Sequence, residues 1–344
     1  MTIPTISKAV IFGGGGFIGI HLATHLLTHT IAQSVVLADI VSLDDSSWPE
    51  PLQEALRNGQ VQYVQLDIRK PITEQRLPQS ADVIFNLAAV HKQPGHEPRE
   101  YFETNILGAE NVCRWAEEIN CNYIVFTSSI AVYGGAREEK SEHSLTTPQS
   151  PYGISKLVAE KIHQTWQAAD KDRRLLIVRP GVIFGAGEKG NVTHMARAVK
   201  KGYFVYAGNR YTRKAGGYVK ELCRAIAWMI NWQKEKSEPV TLFNFTMDPA
   251  PMVEDYVEAF SKISNRKSRV LHAPYAALLG ISYLVKGVSK LVGIKSAIVP
   301  ERVRKLVHYN AIVPAKLRET GYEYKYSLEE ALKDWYSDTG GEWK

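Results

Sequence analysis

Short apolar runs alternate with helical patterns along the first half of the chain. The first run, 8–12, ends at four glycines and is followed over 17–30 by apolar residues at helical spacing. A short continuous apolar run is typical of a parallel strand that is buried on both faces. Further runs of this kind are 34–39, 61–67, 82–87, 122–127 and 175–179. Strands that alternate with helices predict an α/β fold with a doubly wound parallel sheet.

Four consecutive glycines join the first predicted strand to the first predicted helix. Gly13, Gly16 and Gly19 stand three residues apart, and Gly14, Gly16 and Gly19 fit the G-x-G-x-x-G spacing as well, so both registers remain open. Glycine lets the backbone turn sharply and approach a pyrophosphate at a helix N-terminus. Asp39 ends the second predicted strand, where a carboxylate binds the ribose 2′-hydroxyl and disfavours a 2′-phosphate. The pattern predicts a Rossmann-like fold that binds NAD rather than NADP.

The alternation of strands and helices weakens after residue 180. Residues 181–217 are rich in glycine and polar side chains. The remaining predicted elements are helices at 99–120, 191–201 and 218–232, a strand at 241–245, and a mostly helical tail from 249, in which Ser327 caps the last helix. We expect an NAD-binding domain over 1–180, to which 217–245 return. A smaller, mostly helical substrate-binding domain is expected from 181–216 and 246–344.

Tyr152 and Lys156 lie four residues apart at the start of a predicted helix, so their side chains share one face. A tyrosine titrates near pH ~10, and a neighbouring ammonium lowers its pKa because it favours the phenolate. Tyr152 can then remove a proton from a substrate hydroxyl and later return it. The spacing therefore predicts an acid–base pair.

Composition and charge exclude several classes of protein. The 344 residues, 44% of them hydrophobic and 23% charged, are enough for a substantial globular core. The net charge is +6, but the basic residues are scattered, so no nucleic-acid-binding patch is predicted. Cys113, Cys121 and Cys223 form no C-x-x-C pair, which argues against a disulfide framework and against a metal site. With no signal peptide and no uncharged apolar run of about 18 residues, we expect a cytoplasmic protein without a spanning helix.

Several motifs occur in a characteristic order over residues 8–190. They are GGGGFIG at 13–19, NLAA at 86–89, TSSIAVYG at 127–134, PYGISK at 151–156 and RPGVIFG at 179–185. In these motifs the chain resembles the extended short-chain dehydrogenase/reductases, in the branch of NAD-dependent sugar epimerases and dehydratases. The tail is similar to that branch as well, with RETGY at 318–322 followed by SLEEAL at 327–332.

The resemblance implies roles for individual residues. Ser129, Tyr152 and Lys156 are the implied catalytic residues, with Ser129 bonded to the reacting oxygen and Lys156 also holding the nicotinamide ribose. Implied in cofactor binding are Gly13, Gly16, Phe17, Ile18, Gly19, Asp39, Asp67, Ile68, Leu87, Ala88, Ala89, His91, Asn105, Tyr152, Lys156, Pro180 and Val182. Implied in substrate binding are Ser129, Tyr152, Asn191, Val192, Arg213 and Lys214. His91 stands where relatives often have lysine, and a surface histidine is the alternative.

The chain departs from the pattern of its relatives at several positions. The 4,6-dehydratases carry an acidic pair after the catalytic hydroxyl residue, whereas this chain has Ile130 and Ala131, so a dehydratase is disfavoured. Phe12 replaces the threonine of many relatives. Lys220 replaces their usual aspartate, which leaves the local geometry there in question.

An unusually apolar helix is predicted at 275–294. Its polar residues Ser282, Lys286, Ser289 and Lys290 fall on one stripe. Such a helix can lie in a membrane interface as a peripheral contact, or it can cover the core of the substrate domain. This tail, with 190–192 and 207–211, is similar to that of epimerases that act on polyprenyl-diphosphate-linked N-acetylhexosamine in surface-polysaccharide assembly. Relatives commonly form homodimers through helices corresponding to 99–120 and 152–169.

The sequence thus supports an NAD-dependent 4-epimerase of a diphosphate-linked sugar, with a transient 4-keto intermediate. The carrier, a UDP nucleotide or a polyprenyl chain, stays open. A 4-keto-sugar reductase or a hydroxysteroid-type dehydrogenase would use the same three residues but would consume or produce NADH. A non-catalytic nucleotide sensor is disfavoured, because Ser129, Tyr152 and Lys156 are intact.

Overall fold

A computed structural model describes residues 6–92, 95–135, 138–207, 209–266, 271–292 and 311–344, together with Pro300. Its strands are β1 (Ile6–Phe12), β2 (Ala32–Asp39), β3 (Val61–Gln65), β4 (Val83–Asn86), β5 (Tyr123–Thr127), β6 (Arg174–Pro180), β7 (Val182–Phe184), β8 (Val205–Ala207), β9 (Gly216–Tyr218), β10 (Val240–Phe245) and β11 (Leu271–Ala273). Seven of them form one parallel sheet in the order β10-β6-β5-β4-β1-β2-β3. This sheet confirms the predicted doubly wound α/β fold.

The helices cover both faces of this sheet, and some of them pack outside it. They are α1 (Phe17–Thr28), α2 (Glu50–Arg57), α3 (Pro98–Phe102), α4 (Gly108–Glu118), α5 (Pro151–Ala168), α6 (Asn191–Lys200), α7 (Val219–Lys236), α8 (Val253–Ile263), α9 (Tyr275–Val292), α10 (Ala315–Glu319) and α11 (Leu328–Asp338). As predicted, Ser327 caps the last helix, accepting a hydrogen bond from Glu330 N. Among the described residues, no helix combines the length and apolarity needed to cross a membrane.

The main sheet separates two apolar layers, because successive side chains of a strand point to opposite faces. Ala9 and Ile11 of β1 face one layer, which is closed by α1 and α7. Val10 and Phe12 face the other, which is closed by α4 and α5. Every β1 residue from Ala9 to Phe12 is fully buried, as expected of a central parallel strand.

A second apolar core lies outside the main sheet. The short parallel pairs β7–β9 and β8–β11 accompany α6, α8 and α11. Phe184, Tyr256, Phe260 and Trp335 fill this core. By contrast, α7 packs on α1, and β10 extends the main sheet beside β6. The division into 1–180 with 217–245 and 181–216 with 246–344 remains a proposal, which these separate cores support.

The predicted helix 99–120 differs from the structure in one respect. A π-helical turn, Glu103–Leu107, separates α3 from α4. The wider turn coincides with an inward Asn105, whose side chain bonds to Val90 and Ser155. These partners are far away along the chain, so helical spacing alone could not indicate the turn.

Candidate active site

One large cleft opens at the carboxyl ends of the central strands. Its volume is about 2790 Å³, and its walls include residues that follow β1, β2, β4, β5 and β6. Ligands of open parallel sheets bind at this edge. The cleft brings together nearly all of the site residues predicted from the sequence, which are Gly13, Gly16, Phe17, Ile18, Gly19, Asp39, Asp67, Ile68, Leu87, Ala88, Ala89, His91, Ser129, Tyr152, Lys156, Pro180, Val182, Asn191, Val192 and Lys214.

The glycine turn packs too tightly for side chains at its first and last positions. Gly13 has φ +78°, and a Cβ there would lie 2.6 Å from Ala88 N. A Cβ at Gly19 would lie 2.5 Å from Gly13 O. Helix α1 then begins at Phe17 with Gly16 as N-cap, without a side-chain cap and without an acidic residue in its first turn. Backbone N–H groups at such a helix start suit an anion.

Asp39 is fixed beside this turn at the end of β2. Its Oδ2 accepts a hydrogen bond from Gly15 N at 3.0 Å, and its Oδ1 accepts one from Val41 N at 3.3 Å. Tyr63 OH donates to Val41 O at 2.9 Å, and burial raises the pKa of this phenol to about 12. The sequence did not indicate Tyr63, which comes from the neighbouring strand β3 and supports the loop that carries the carboxylate.

Asp67 and Ile68 follow β3 on the same side of the cleft. Arg69 donates to Asp67 through Nε and Nη2, the latter at 2.7 Å, and this contact lowers the pKa of the Asp67 carboxyl. Asn111 Nδ2 donates to Ile68 O at 2.8 Å. The segment is therefore fixed by side chains before any ligand enters.

The start of α5 brings Tyr152 beside Ser129. Ser150 is the N-cap and accepts a hydrogen bond from Gly153 N at 3.1 Å. A Cβ at Gly153 would lie 2.5 Å from Ala131 O, so glycine permits this close approach. Tyr152 is half-buried and hydrogen-bonded to Ser129. Burial raises the pKa of Tyr152, and the Ser129 hydrogen bond opposes that shift.

Lys156 lies one turn further along α5 and is 2% exposed. Its ammonium is 4.3 Å from the centroid of the Phe126 ring. Burial lowers the pKa of Lys156 to about 7, against the opposing effect of the Glu160 charge. The raised pKa of Tyr152 differs from the lowered value expected from the Tyr–Lys spacing. The prediction considered that an ammonium lowers the pKa of a neighbouring tyrosine. It did not consider that burial disfavours the phenolate and so raises that pKa.

The loop after β4 forms the cleft wall that packs directly against the glycine turn. Leu87 N donates to Phe12 O at 2.9 Å, and His91 is exposed at the cleft. Asn105, predicted to line the cofactor, lies behind this wall. Its Oδ1 accepts from Val90 N at 2.9 Å, and its Nδ2 donates to Ser155 Oγ at 2.8 Å. Asn105 therefore supports the wall from behind.

Arg213 and Lys214, the two predicted phosphate-binding bases, point in different directions. Lys214 lines the cleft, and burial lowers its pKa to about 8. Arg213 does not line the cleft, and its Nη1 donates to Ala250 O at 2.7 Å. Neighbouring side chains of an extended segment point in opposite directions, so only one of the two bases reaches the cleft. Asn191 and Val192, at the start of α6, line the cleft as predicted.

Lys220, which departs from the usual pattern, has acidic partners. Its ammonium lies 2.7 Å from Asp334 and 2.7 Å from Asp338, both on α11. Tyr218 OH donates to Asp334 as well. The lysine thus joins the first turn of α7 to the last helix of the chain.

The sequence profile described as "NAD dependent epimerase/dehydratase family" matches residues 9–243. The chain belongs to this family. The N-acetyl-alpha-D-glucosaminyl-diphospho-ditrans,octacis-undecaprenol 4-epimerase of Escherichia coli O157:H7 is 27% identical over 329 residues, which cover 94% of this chain and 93% of that protein. The 3beta-hydroxysteroid-dehydrogenase/decarboxylase isoform 1 of Arabidopsis thaliana is 25% identical over 94% of this chain and 77% of its own.

Solved structures of sugar epimerases share the fold of this epimerase/dehydratase-family protein. The UDP-Glc/GlcNAc 4-epimerase from Campylobacter jejuni superposes with a TM-score of 0.74 at 20% identity, covering 97% of this chain and 99% of its own. The UDP-glucuronic acid 4-epimerase from Bacillus cereus, in complex with NAD, gives a TM-score of 0.75 at 19% identity, covering 98% and 100%. The likeness establishes the predicted Rossmann-like architecture.

The cofactor of this NAD-dependent epimerase/dehydratase-family protein fits the residues present. The crowded glycine turn and the uncapped start of α1 suit a pyrophosphate, and Asp39 stands where a ribose hydroxyl needs an acceptor. No group of three or more metal-ligating side chains occurs within the described ranges.

Several cleft residues had no signal in the sequence. Glu188 accepts a hydrogen bond from Thr193 N at 2.9 Å and fixes the start of α6. Met195, Leu278 and Ile312 add apolar surface. They come from segments far apart along the chain, and only the fold brings them to one cleft.

Proposed function

We propose that this epimerase/dehydratase-family protein is an NAD-dependent 4-epimerase of a sugar carried on a diphosphate. The observation that carries the proposal is the hydrogen-bonded pair Ser129–Tyr152 next to Lys156, in one cleft with the glycine turn. The relative from Escherichia coli O157:H7, which spans nearly the whole chain, supports the choice of reaction and favours an N-acetylhexosamine as the sugar.

Tyr152 is the proposed acid–base residue. It takes the proton of the sugar 4-hydroxyl and later returns it, while Ser129 bonds to the reacting oxygen. Lys156, one turn further along α5, lines the same cleft, and its ammonium form favours the phenolate against the burial that raises the pKa of Tyr152. Bound NAD supplies a reversible hydride acceptor, so the reaction has no net oxidation. Binding through the diphosphate leaves the sugar ring able to turn in the cleft.

The residues after Ser129 favour epimerisation over dehydration. Ile130 and Ala131 line the cleft and carry no acid or base that could expel a hydroxyl group. The carboxylate of Glu188, which also lines the cleft, is held by a hydrogen bond from Thr193 N. Proton transfer in this part of the cleft is therefore assigned to Tyr152.

The proposed carrier is a polyprenyl chain. Lys214 supplies a positive charge to the substrate end of the cleft, where a diphosphate needs one. Val192, Met195, Leu278 and Ile312 line the cleft as well. This apolar surface suits a hydrocarbon chain better than a nucleotide base, whose polar edges need hydrogen-bonding partners.

Helix α9 supports this choice, because the described side chains of its first part include a buried serine and exposed apolar residues. Ser282 is fully buried and donates to Leu279 O at 2.6 Å, whereas Ile281 and Leu284 are 51% and 72% exposed. Leu278 of the same helix lines the cleft. We propose that α9 lies against the membrane surface and guides the lipid chain from the cleft into the bilayer. Residues 293–294 of the predicted segment, and the side chains of Lys286, Ser289 and Lys290 in its polar stripe, lie outside what the structure describes.

The proposed setting is the inner face of the cytoplasmic membrane, in the synthesis of a surface polysaccharide such as O-antigen. A homodimer is proposed as well. Phe102, Leu107, Ile154 and Val158 expose apolar side chains on α3, the π-helical turn and α5, the helices through which relatives commonly dimerise. Light scattering of the purified protein tests this part, and a monomer at all concentrations would contradict it.

Product analysis tests the reaction and the carrier together. Purified protein with NAD is given UDP-N-acetylglucosamine and polyprenyl-diphosphate N-acetylglucosamine in parallel, while NADH absorbance is followed. We expect the 4-epimer of the polyprenyl substrate without net NADH. Epimerisation of the UDP sugar alone would retain the reaction and reject the carrier.

The alternative is a dehydrogenase or a 4-keto-sugar reductase. The Arabidopsis thaliana relative, named as a hydroxysteroid dehydrogenase/decarboxylase, favours this class. Stoichiometric NADH formation from a hydroxysteroid, or NADH consumption with a 4-keto sugar, and no epimer from either sugar would establish it. Tyr152→Phe should lower kcat by about 10²–10⁴-fold in either class and leave NAD binding nearly unchanged. Unaffected turnover would reject Tyr152 as the acid–base residue.

A further inference from the structure

A buried carboxylate, that of Glu160, lies directly behind the catalytic residues. Glu160 is four residues after Lys156 on α5, so the two side chains share one face of the helix. It is 1% exposed and bonded twice by Arg179 of β6, Nε to Oε1 at 2.8 Å and Nη2 to Oε2 at 2.7 Å. Removing two charges from water is unfavourable, so a gain in stability does not by itself explain the pair.

Glu160 also fixes the segment that carries Ser129. Ser128 Oγ donates to Glu160 Oε1 at 2.5 Å, and Ser128 N donates to Val178 O at 2.7 Å. Ser129 has an extended backbone, with φ −165° and ψ 151°. Successive side chains of an extended chain point in opposite directions. With Ser128 directed to Glu160, Ser129 is therefore directed to Tyr152, to which it is hydrogen-bonded.

The ion pair is in turn anchored on the side away from Ser128. Arg179 Nη1 donates to Tyr133 OH at 2.9 Å, and Tyr133 OH donates to Asn244 Oδ1 at 2.7 Å. Asn244 N donates to Glu142 Oε1 at 2.8 Å, and the other oxygen of Glu142 accepts from Ala315 N at 3.0 Å. Hydrogen bonds thus fix the guanidinium on β6, and through it the carboxylate.

We propose that Glu160 is a positioning residue: it directs Ser129 to Tyr152 through Ser128, and it supplies a buried negative charge that stabilises the Lys156 ammonium. The inference rests on the proposed function. It adds a residue that touches neither the substrate nor the cofactor to the three proposed catalytic residues.

The groups around Lys156 leave Glu160 as the source of this charge. The titratable groups near the ammonium are Tyr152, Glu160 and His163 on α5 and His91 in the loop after β4, while β5 contributes the uncharged ring of Phe126. The pKa of each histidine is lowered, so both are neutral at pH 7. Among the described residues, the Glu160 carboxylate alone raises the pKa of Lys156 against burial.

Two variants separate the two parts of the proposal. Glu160→Gln keeps the shape and removes the charge, so the Lys156 ammonium should be lost at lower pH. We expect the alkaline limb of the kcat/KM profile to move to lower pH and kcat to fall on the order of ten-fold. Ser128→Ala leaves the ion pair in place, and kcat should fall similarly with the limb unmoved. Ser128→Thr, which restores the hydroxyl, should recover activity.

Glu221→Gln is the matched control. Glu221 is also buried and paired with an arginine, Arg224 at 2.7 Å, but it does not line the cleft. This variant should be less stable and keep the wild-type pH profile. A wild-type profile in folded Glu160→Gln, or wild-type kcat in Ser128→Ala, would overturn the proposal. If Glu160→Gln does not fold, Ser128→Ala and Ser128→Thr decide.

A second measurement does not depend on turnover. The charge of Lys156 is followed as the difference in the free energy of urea unfolding between each protein and its Lys156→Met derivative across the pH range. Because burial lowers the pKa of Lys156 to about 7 in the folded protein, this difference should begin to rise with pH near 7, and Glu160→Gln should shift that onset to lower pH, whereas Glu221→Gln should not. If the shift is present but the protein has no epimerase activity, the proposed function is rejected and the role of Glu160 is retained. An unshifted titration would reject that role.

Discussion

Alanine at Gly13, compared with alanine at Gly59, tests the crowding of the glycine turn. Both glycines have left-handed backbones, with φ +78° and +82°. A Cβ at Gly59 would meet nothing within 4 Å, whereas a Cβ at Gly13 would lie 2.6 Å from Ala88 N. The two variants therefore share the backbone strain and differ in the contact with the cofactor wall.

The expected magnitudes follow from this difference. The left-handed conformation costs an alanine about 1–2 kcal/mol, which is the whole effect expected for Gly59→Ala. Gly13→Ala adds a clash with backbone atoms, and overpacking of this kind costs about 1–3 kcal/mol. Since Ala88 lines the cleft, its displacement should weaken NAD binding about ten-fold or more, which corresponds to about 1.4 kcal/mol.

Urea unfolding and calorimetric titration with NAD measure the two effects. Gly59→Ala should lose stability and keep the Kd of the wild type. Gly13→Ala should lose more stability and most of its affinity. Wild-type affinity in Gly13→Ala, or an equal loss of affinity in both variants, would refute the reasoning from the geometry of the turn.

Three further predictions concern titratable groups. Burial lowers the pKa of Lys214 to about 8, so the KM for the diphosphate-linked substrate should rise as the pH passes about 8 and the ammonium is lost. Lys214→Arg should flatten this rise, and a pH-independent KM in the wild type would contradict the prediction. Burial lowers the pKa of His163 to about 4 from its ordinary 6.5, so only the unfolded chain gains this proton as the pH falls between those values. Stability should therefore fall by about 1.4 kcal/mol per pH unit there, and the slope in urea unfolding should weaken in His163→Gln; an unchanged slope would count against this assignment. Lys220→Ala leaves Asp334 and Asp338 without their shared cation and should cost about 1 kcal/mol or less, seen as a lower Tm; a higher Tm would show that the contact is not stabilising.

The features predicted correctly from the sequence are those with local causes. Apolar runs indicate buried strands wherever they occur, and the glycines between β1 and α1 indicate a tight turn at a helix start. The cap of the last helix at Ser327 is equally local. Short-range chemistry of this kind can be read without knowing the partner segments.

The remaining features depend on contacts between distant segments. The π-helical turn bonds to Val90 and Ser155, and the protonation of Tyr152 depends on burial that no spacing reveals. Leu278 and Ile312 reach the cleft from the tail, again without a local signal. The orientation of Arg213 is different, because it has a local cause. An extended segment turns only one of two neighbouring side chains to the cleft, and the sequence alone could have indicated that.

The contact of Lys220 with the last helix also constrains how this chain can change. An aspartate at this position, which relatives usually carry, would place a third carboxylate beside Asp334 and Asp338. A single Lys220→Asp substitution would therefore replace two attractions by two repulsions. The substitution becomes tolerable only after the acids on α11 have been replaced. The residue at position 220 and the acids of the last helix therefore depend on each other. A chimera that exchanges the tail with that of a relative would have to exchange position 220 as well.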